Sequence, residues 1–316
     1  MKNRKAIIFG IKGTKLTFRE KRLLKNGKPW GIILFSRNIK NIKQTKDLLD
    51  QIKKIFKDKK YPILIDEEGG KVNRLKNIIN LDNFNQKYFG DFFVKDDKKF
   101  KIKYKAYIDM ISYILNYIGI NINTVPVLDI IKKNSHKIIS NRSFSKNKKI
   151  VSKLGQLCIK FYKSNKIATV IKHIPGHGSA KVDSHYFTPI VKNSKKNLIA
   201  NDFAPFKKCK SFFAMTAHVI FNSYDNRNTA THSKTIIKSL IRKKLGFKGI
   251  LISDDIAMEA LKFNIITNAT KALKAGCNLV LHCNANIRQM ERLIKVIPNI
   301  DTFTYKKTSD FYKFLG

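Results

Sequence analysis

The chain has 316 residues, 43% of them hydrophobic, and its 64 basic and 22 acidic side chains give a formal net charge of +42. Apolar residues are spread along the whole sequence, which excludes a disordered basic tail or a small peptide-like binder and allows a sizeable core. The length alone favours one large domain or two modest ones.

Eight short apolar segments, most of them continuous rather than alternating, predict strands of a parallel sheet covered on both faces. They are Lys5–Phe9, Gly31–Ser36, Pro62–Asp66, Ile122–Asp129, Ala168–His173, Phe212–His218, Gly249–Asp254 and Asn278–His282. Helical patterns occupy Asn41–Lys59, Lys103–Ile118 and Ser233–Leu245, with Ser233 suited to the N-cap and Gly246 to the position after the helix. Because no Pro/Gly/Ser-rich linker interrupts this alternation, we expect one domain over residues 1–316, a single (β/α)8 barrel.

The charge has a compositional explanation. Lysine accounts for 54 of the basic residues and arginine for ten, and lysine, like the abundant isoleucine and asparagine, is encoded by A/T-rich codons. Arginine is the residue that makes forked contacts to phosphates and guanines, so no specific nucleic-acid partner is expected. The alternative, a basic binding protein with a degenerate enzyme barrel, requires charge clustered on one face and binding that weakens steeply with salt.

The four cysteines, Cys158, Cys209, Cys277 and Cys283, form no CxxC pair, which argues against a metal finger or a disulfide framework. The apolar stretch near the amino terminus is cut by Lys12, too early for a signal peptide, and no 18-residue apolar run follows elsewhere. We therefore expect a cytoplasmic protein without a membrane span.

Acidic and histidine side chains collect where the predicted strands end, which is where a (β/α)8 barrel places its reactive groups. The acids there are Asp66, Glu67, Glu68, Asp129, Asp183, Asp254, Asp255 and Glu259. A carboxylate at one strand end and a histidine at another predict a nucleophile with a proton-transfer partner. Asp183 lies two residues before His185, close enough in an extended loop to accept from the imidazole and fix its tautomer.

Six segments in this order resemble the glycoside hydrolase family 3 β-N-acetylhexosaminidases of bacterial cell-wall recycling. They are IDEEGGKVNRL (65–75), NTVPVLDI (123–130), NRSFS (141–145), KHIPGHGSAKVDSH (172–185), AMTAHV (214–219) and LGFKGILISDDIAM (245–258). The resemblance covers nearly the whole chain, and its KH-x-PGHG…DSH and SDD segments are the most specific part. It implies a single barrel that acts in the cytoplasm, without a metal or other cofactor.

The resemblance also implies a role for each matching residue. Asp254 matches the nucleophile that forms a covalent glycosyl intermediate, and His185 matches the general acid/base, with Asp183 as its orienting partner. Asp66, Arg74, Arg142, Lys172 and His173 match the sugar-binding residues. The substrate implied is a muropeptide-derived disaccharide, GlcNAc-β-1,4-(anhydro)MurNAc, from which terminal N-acetylglucosamine is removed. A monomer is expected.

Several conspicuous residues are expected to have structural roles. Asp255 should brace the turn beside Asp254, His177 should order its loop through backbone hydrogen bonds, and Trp30 should pack in the barrel. His218 could line the pocket or lie satisfied in the core. Glu67 stands where the resembling proteins commonly carry Gln, a departure that touches affinity more than reaction class.

Two further hypotheses about the enzymatic reaction stay open. Phosphorolysis would use the same nucleophile and the same intermediate, and a histidine acid/base would not repel incoming phosphate as a carboxylate would; products formed in phosphate buffer distinguish the two. A metal-dependent hydrolase could use His173, His177, His185 and Asp254 as ligands, although Pro175 makes a helix between the first two histidines improbable. Activity that survives exhaustive chelation would exclude it.

Overall fold

A closed barrel of eight parallel strands forms the centre of the molecule, in a computed structural model that describes residues 2–132, 140–180, 182–184 and 186–316. The strands are β1 (Lys5–Gly10), β2 (Pro29–Leu34), β3 (Ile63–Ile65), β4 (Ile122–Asn123), β5 (Ala168–Ile174), β6 (Phe213–Thr216), β7 (Ile250–Asp255) and β8 (Leu279–His282). Each pairs with its neighbours in chain order, and β1 closes the ring by pairing with both β2 and β8. The predicted (β/α)8 barrel is confirmed.

Helices cover the outside of the barrel. They are α1 (Phe18–Gly27), α2 (Ile42–Phe56), α3 (Gln86–Lys95), α4 (Asp97–Ile118), α5 (Lys148–Ser164), α6 (Lys195–Ala200), a π-helix (Ile236–Lys244), α7 (Ile265–Ala275), α8 (Ile287–Val296) and α9 (Thr302–Leu315). A short parallel pair, Ile190–Val191 with Ile220–Phe221, lies outside the barrel sheet. No helix of the described residues is long and apolar enough to cross a membrane.

Asparagine, abundant in this sequence, begins many of the helices. The side chains of Asn41, Asn85, Asn147, Asn264 and Asn286 each accept a hydrogen bond from a backbone N–H of the first helical turn. Asparagine is among the best N-cap residues because its side-chain oxygen satisfies an amide that has no partner within the helix. The asparagines of this chain therefore help to define where its helices start.

Some of the element boundaries predicted from the sequence are wrong. Predicted strand Ile122–Asp129 is a regular strand only over Ile122–Asn123, because the Val125 amide turns back to the Asn123 carbonyl and Pro126 has no amide to donate; pairing with β5 resumes in an isolated bridge between Val127 and Lys172. Helix α4 starts at Asp97, six residues before the prediction, since the side chain of Asp96 caps it.

The ends of the π-helix follow the sequence expectation. Ser233 Oγ accepts from the Ile236 amide at 3.2 Å, and Gly246 adopts a left-handed φ of 74° just after the helix. Glycine suits that position because it has no Cβ to clash there.

Continuous apolar strands form the core, as expected for strands buried on both sides. All six residues of β2 are buried, and Trp30 within it is fully buried, with its indole N–H donating to Thr308 Oγ1 of α9 at 2.9 Å. The Trp30 ring meets Phe213 of β6 edge-on at a centroid distance of 5.6 Å. Trp30 therefore packs in the barrel and provides no surface for a sugar.

Candidate active site

A cavity of about 150 Å³ opens at the carboxyl ends of the strands. Six of the eight predicted site residues line it: Asp66, Arg74, Arg142, Lys172, His173 and Asp254. Asp183 is half-buried and is not among the lining residues, and His185 lies outside the described residues. Ile33, Phe35, Met215, Met258 and Leu281 add apolar walls, so the cavity combines a few convergent polar groups with apolar surface, as small-molecule sites do.

Asp254 is at the end of β7, with its carboxylate reaching the cavity. Its Oδ1 accepts from the Asp255 amide at 2.8 Å, and its Oδ2 lies 3.9 Å from His173 Nε2. Burial opposes ionisation of this group, but the nearby His173 and His218 and the backbone N–H hold the pKa of Asp254 below its ordinary value. The carboxylate is therefore ionised at neutral pH and 19% exposed, which are the properties a nucleophile needs.

The neighbouring Asp255 has a different environment. Its Oδ1 accepts from the backbone amides of Ala257 and Cys283, at 3.1 and 3.2 Å. Burial raises the pKa of Asp255, whereas that of Asp254 is lowered. These contacts hold the turn after β7, as the sequence led us to expect of this residue.

Asp66 at the end of β3 is held by two cations. Lys172 Nζ and the Thr124 hydroxyl both bond to its Oδ1, and Arg74 Nη2 donates to its Oδ2 at 3.0 Å. Although burial favours the neutral acid, Lys172 and Arg74 keep the pKa of Asp66 far below its ordinary range. Asp66 therefore presents a fixed carboxylate at the cavity, suited to accept hydrogen bonds from hydroxyl groups.

Glu68 binds Arg142 and shares Lys172 with Asp66. Arg142 forms a fork on it, with Nε to Oε2 at 2.8 Å and Nη2 to Oε1 at 2.9 Å, and Lys172 Nζ lies 2.6 Å from Oε1. Burial works against all three charges, but the pKa of Glu68 is lowered by Arg142 and Lys172, and the carboxylates raise the pKa of both cations. The guanidinium fork of Arg142 is thus directed at Glu68.

Asp129 holds the histidine segment at the end of β5. It accepts from His173 Nδ1 at 2.7 Å and from the His177 amide at 2.6 Å, and it is completely buried. Burial disfavours its charge, yet His173 keeps the pKa of Asp129 below its usual value. An ionised acceptor at Nδ1 fixes that nitrogen as the protonated one, which leaves His173 Nε2 directed toward Asp254.

His177 both orders the loop and reaches the cavity. Its backbone bonds to Asp129, while its ring Nε2 lies 3.1 Å from Ser184 Oγ in the segment that carries Asp183. Burial lowers the pKa of His177 to about 4, so the ring is neutral. Gly176 between the two histidines has a φ of 149°, and a Cβ there would lie 2.8 Å from the Asp202 carbonyl oxygen, so glycine allows the approach.

His218 is a core histidine. It is fully buried, with Nδ1 2.7 Å from Thr231 Oγ1 and Nε2 3.0 Å from the Asp255 carbonyl oxygen, and burial lowers its pKa. It is not among the cavity lining residues. Among the described residues, His, Cys, Asp and Glu form no group of three that could hold a metal ion.

Glu68, Asp129 and Thr124 have site roles that were not predicted from the sequence. All three hold predicted binding residues in place, and two of them had been noted only as acids near strand ends. The signal that could have found them is strand adjacency: β3, β4 and β5 are neighbours, so side chains just beyond their carboxyl ends must meet.

Residues 7–307 match the family model described as the glycosyl hydrolase family 3 N terminal domain. A β-hexosaminidase of Haemophilus influenzae is 31% identical over 303 residues, which cover 93% of this chain and 83% of that protein. NagZ from Neisseria gonorrhoeae, solved with N-trifluoroacetyl-D-glucosamine, superimposes with a TM-score of 0.88 at 30% identity, covering 99% of this chain and 90% of that one.

A family 3 β-N-acetylglucosaminidase from Paenibacillus gives a TM-score of 0.84 at 27% identity; the match covers 98% of this chain but 60% of the longer Paenibacillus chain.

Proposed function

The chain belongs to glycosyl hydrolase family 3, and from that premise we propose that it is a retaining exo-β-N-acetylglucosaminidase. Its proposed substrate is the muropeptide-derived disaccharide GlcNAc-β-1,4-(anhydro)MurNAc. The observation that carries the proposal is Asp254: an ionised carboxylate at a barrel strand end, in a cavity whose other polar groups suit sugar hydroxyls. The similarity to a β-hexosaminidase and to NagZ supports the same assignment.

In the first half of the proposed reaction, Asp254 Oδ2 attacks the anomeric carbon as the bond to the leaving oxygen breaks. The leaving oxygen takes a proton from the general acid, and the sugar remains as an ester of Asp254. In the second half, the same group removes a proton from water, which attacks the anomeric carbon and releases N-acetylglucosamine. Two displacements at one carbon retain its configuration.

We assign the proton transfers to His185, with Asp183 as its orienting partner. An imidazole has a pKa near neutrality and can therefore both protonate a leaving oxygen and accept a proton from water. The described part of that loop is tied to the site, since Ser184 lines the cavity and contacts His177 at 3.1 Å. Loops that carry an acid/base commonly close over substrate.

Sugar recognition is proposed for Asp66, Arg74, Lys172 and His173. Asp66 offers carboxylate oxygens to hydroxyl groups, while Lys172, 2% exposed, and Arg74 supply donors at the same wall. Arg142 lines the cavity as well, and by its fork on Glu68 it also positions Lys172. A cavity of about 150 Å³ with this lining suits one terminal sugar better than a long glycan.

We further propose that residues 1–316 act as one catalytic domain, as a cytoplasmic monomer. The last helix supports the domain assignment, since Phe311 of α9 packs on Phe213 of β6 at 5.4 Å and so joins the end of the chain to the barrel. Light scattering of the purified protein at micromolar concentration is expected to give the mass of one chain, and a dimer mass would contradict the monomer.

The test is to trap the intermediate with a slow-turnover fluorinated N-acetylglucosamine derivative. Peptide mass spectrometry is expected to find the glycosyl adduct on Asp254 and no adduct in the Asp254→Asn variant. An adduct on a different carboxylate, or steady turnover of an aryl N-acetylglucosaminide with no adduct at any residue, would contradict the assignment. Release of N-acetylglucosamine 1-phosphate in phosphate buffer would identify phosphorolysis instead of hydrolysis.

A further inference from the structure

Glu67 lies directly behind the cavity wall and has no part in the chemistry proposed above. It follows Asp66 in sequence and is 1% exposed, and it is not a lining residue of the cavity. Buried carboxyl groups are uncommon unless their oxygens have partners, so its contacts indicate what it does.

Both carboxylate oxygens of Glu67 accept hydrogen bonds from the backbone of the loop that follows. Oε1 accepts from the Gly69 amide at 2.9 Å, and Oε2 accepts from the amides of Arg74 and Leu75 at 2.7 and 2.9 Å. The Glu67 backbone is in turn fixed to the Asn123 side chain of β4 by two hydrogen bonds, of 3.1 and 2.9 Å. One side chain thus connects the two ends of the 69–75 loop to the barrel.

This arrangement fixes the position of Arg74. With its backbone amide held by Glu67, the Arg74 side chain reaches Asp66 Oδ2 at 3.0 Å and lies over the Phe35 ring at 5.3 Å from its centroid. Arg74, Asp66 and Phe35 all line the cavity. The position of the Arg74–Asp66 pair therefore depends on hydrogen bonds that Glu67 accepts.

Three N–H donors directed at one side chain favour an ionised carboxylate. A carboxylate offers about four lone pairs and no hydrogen, whereas a protonated acid or an amide carries a donor on one of its two terminal atoms. An amide nitrogen cannot accept from an N–H, and the hydroxyl oxygen of a protonated acid accepts more weakly than a carboxylate oxygen, so at least one of the three hydrogen bonds is weakened when Glu67 is protonated. Burial raises the pKa of Glu67 to about 7, although these same N–H groups lower it in part.

The groups that face Glu67 from the surrounding elements do not titrate near neutrality. Tyr107 of α4 and Cys158 and Tyr162 of α5 line a small internal cavity with Glu67 and Glu68, and burial raises the pKa of all three. Glu68, with its pKa lowered, is ionised, and Arg74 is the nearby cation on the loop itself. Of these described groups, Glu67 is the one that changes charge around pH 7.

We propose that Glu67 is a positioning residue that sets the Arg74–Asp66 pair for sugar binding when it is ionised and releases the 69–75 loop when it is protonated. Substrate affinity then has a built-in dependence on pH that arises behind the cavity instead of at the reacting groups. The inference rests on the proposed function, because the bound group at issue is the sugar.

The test compares the wild type with Glu67→Gln, whose amide resembles the protonated acid at every pH. KM and kcat for 4-nitrophenyl N-acetyl-β-glucosaminide are measured between about pH 5.5 and 8.5. The ratio of KM in the variant to KM in the wild type is expected to be near 1 at the acid end and to rise about three- to tenfold through pH 7, as a hydrogen bond to a charged group is lost. The ratio of kcat values is expected to change far less. A residue that only supports the fold would not produce a KM ratio that titrates.

Glu291→Gln, at an exposed glutamate of α8 paired with Arg19, is the matched control and should give a KM ratio of 1 throughout. A flat ratio for Glu67→Gln would overturn the proposal. If that variant does not fold, amide hydrogen exchange of the wild type replaces it: after correction for intrinsic rates, residues 68–75 should be more protected at pH 8 than at pH 6, and equal protection overturns the proposal. A wild type that binds and cleaves no N-acetylglucosaminide refutes the proposed function instead, and the exchange measurement still tests the role of Glu67.

Discussion

At the carboxyl end of the barrel, charged side chains are largely buried and held in fixed pairs, whereas at the amino end most are exposed and almost all are of one sign; Arg4, buried and paired with Asp58, is an exception there. Lys172 bonds to both Asp66 and Glu68, with Lys172 2% and Glu68 1% exposed. Two clefts at the opposite end are lined by cations, one by Lys2, Arg4, Lys25 and Lys28 and the other by Lys163, Lys208, Lys210, Lys248 and Lys307.

The direction of the helices offers an explanation for the basic residues at the amino end. In a (β/α)8 barrel each helix runs back toward the start of the next strand, so its carboxyl terminus, with its partial negative charge, lies at the amino end of the barrel. Basic residues occupy the last turn of α1, α2, α5, the π-helix, α7 and α8. Net charge thus carries little information on function here, while the location of each charge carries much.

The largest effect is expected at the carboxyl end, from Asp254→Asn. Loss of the nucleophile should reduce kcat for an aryl N-acetylglucosaminide by at least about 10³-fold, because the covalent intermediate cannot form. Asp310→Asn removes a partly exposed acid of α9 that pairs with Lys307 and should leave kcat within about twofold. Undiminished hydrolysis by the Asp254 variant would remove the nucleophile from the mechanism.

The second prediction compares a buried lysine, Lys172, with a partly exposed one, Lys307. Lys172→Met should lower the free energy of unfolding by about 3 kcal/mol, because two carboxylates lose a buried partner. Lys307→Met breaks a pair at 3.4 Å whose side chains are 33% and 44% exposed, and should cost less than about 0.5 kcal/mol. Urea unfolding monitored by circular dichroism measures both. Equal costs would show that burial does not distinguish the two ends.

Glu67→Gln should change stability in the direction opposite to its effect on binding. The pKa of Glu67 is raised to about 7 in the folded protein, so its neutral form contributes stability below the unfolded pKa near 4.5, and this is lost as the pH rises through 7. The variant should therefore match the wild type near pH 4.5 and exceed it by about 1–3 kcal/mol at pH 8.5. Thermal and urea unfolding are measured at both pH values, with Glu291→Gln as a pH-independent control. A Glu67→Gln variant less stable than the wild type at pH 8.5 would contradict the prediction.

The barrel could be predicted from sequence because its signal is local. Continuous apolar runs such as those of β2 and β5 are long enough to stand out, and all eight predicted strands are present. The error at β4 has an equally local cause, since the turn at Val125 and Pro126 interrupts the regular strand before Val127 pairs with β5 again.

The site could be predicted only in part, because its contacts join distant segments. The residues at the ends of β3, β5 and β7 were identifiable from composition and motif, but the fork of Arg142 on Glu68 joins residues 74 positions apart. The pairing of Asp129 with His173 depends on β4 and β5 being neighbours in the closed ring. His177 was expected to act through its backbone, and its ring contact with Ser184 required the folded loop.

The smallest effect tests whether helix direction explains the basic residues at the amino end of the barrel. Helix α2 provides both substitutions for this test. Lys43 lies in its first turn and Lys54 in its last, and both are exposed. If lysines are retained at the amino end because they face helix carboxyl termini, Lys54→Gln should destabilise the protein by about 0.3–1 kcal/mol in low salt. Lys43→Gln should leave stability unchanged or increase it, since a cation at a helix amino terminus is unfavourable. Both differences should shrink in about 1 M salt, where exposed charges are screened. If the two substitutions shift the urea midpoint equally, helix direction does not explain the basic end, and a polyanionic partner for its lysine-lined clefts becomes the explanation to test.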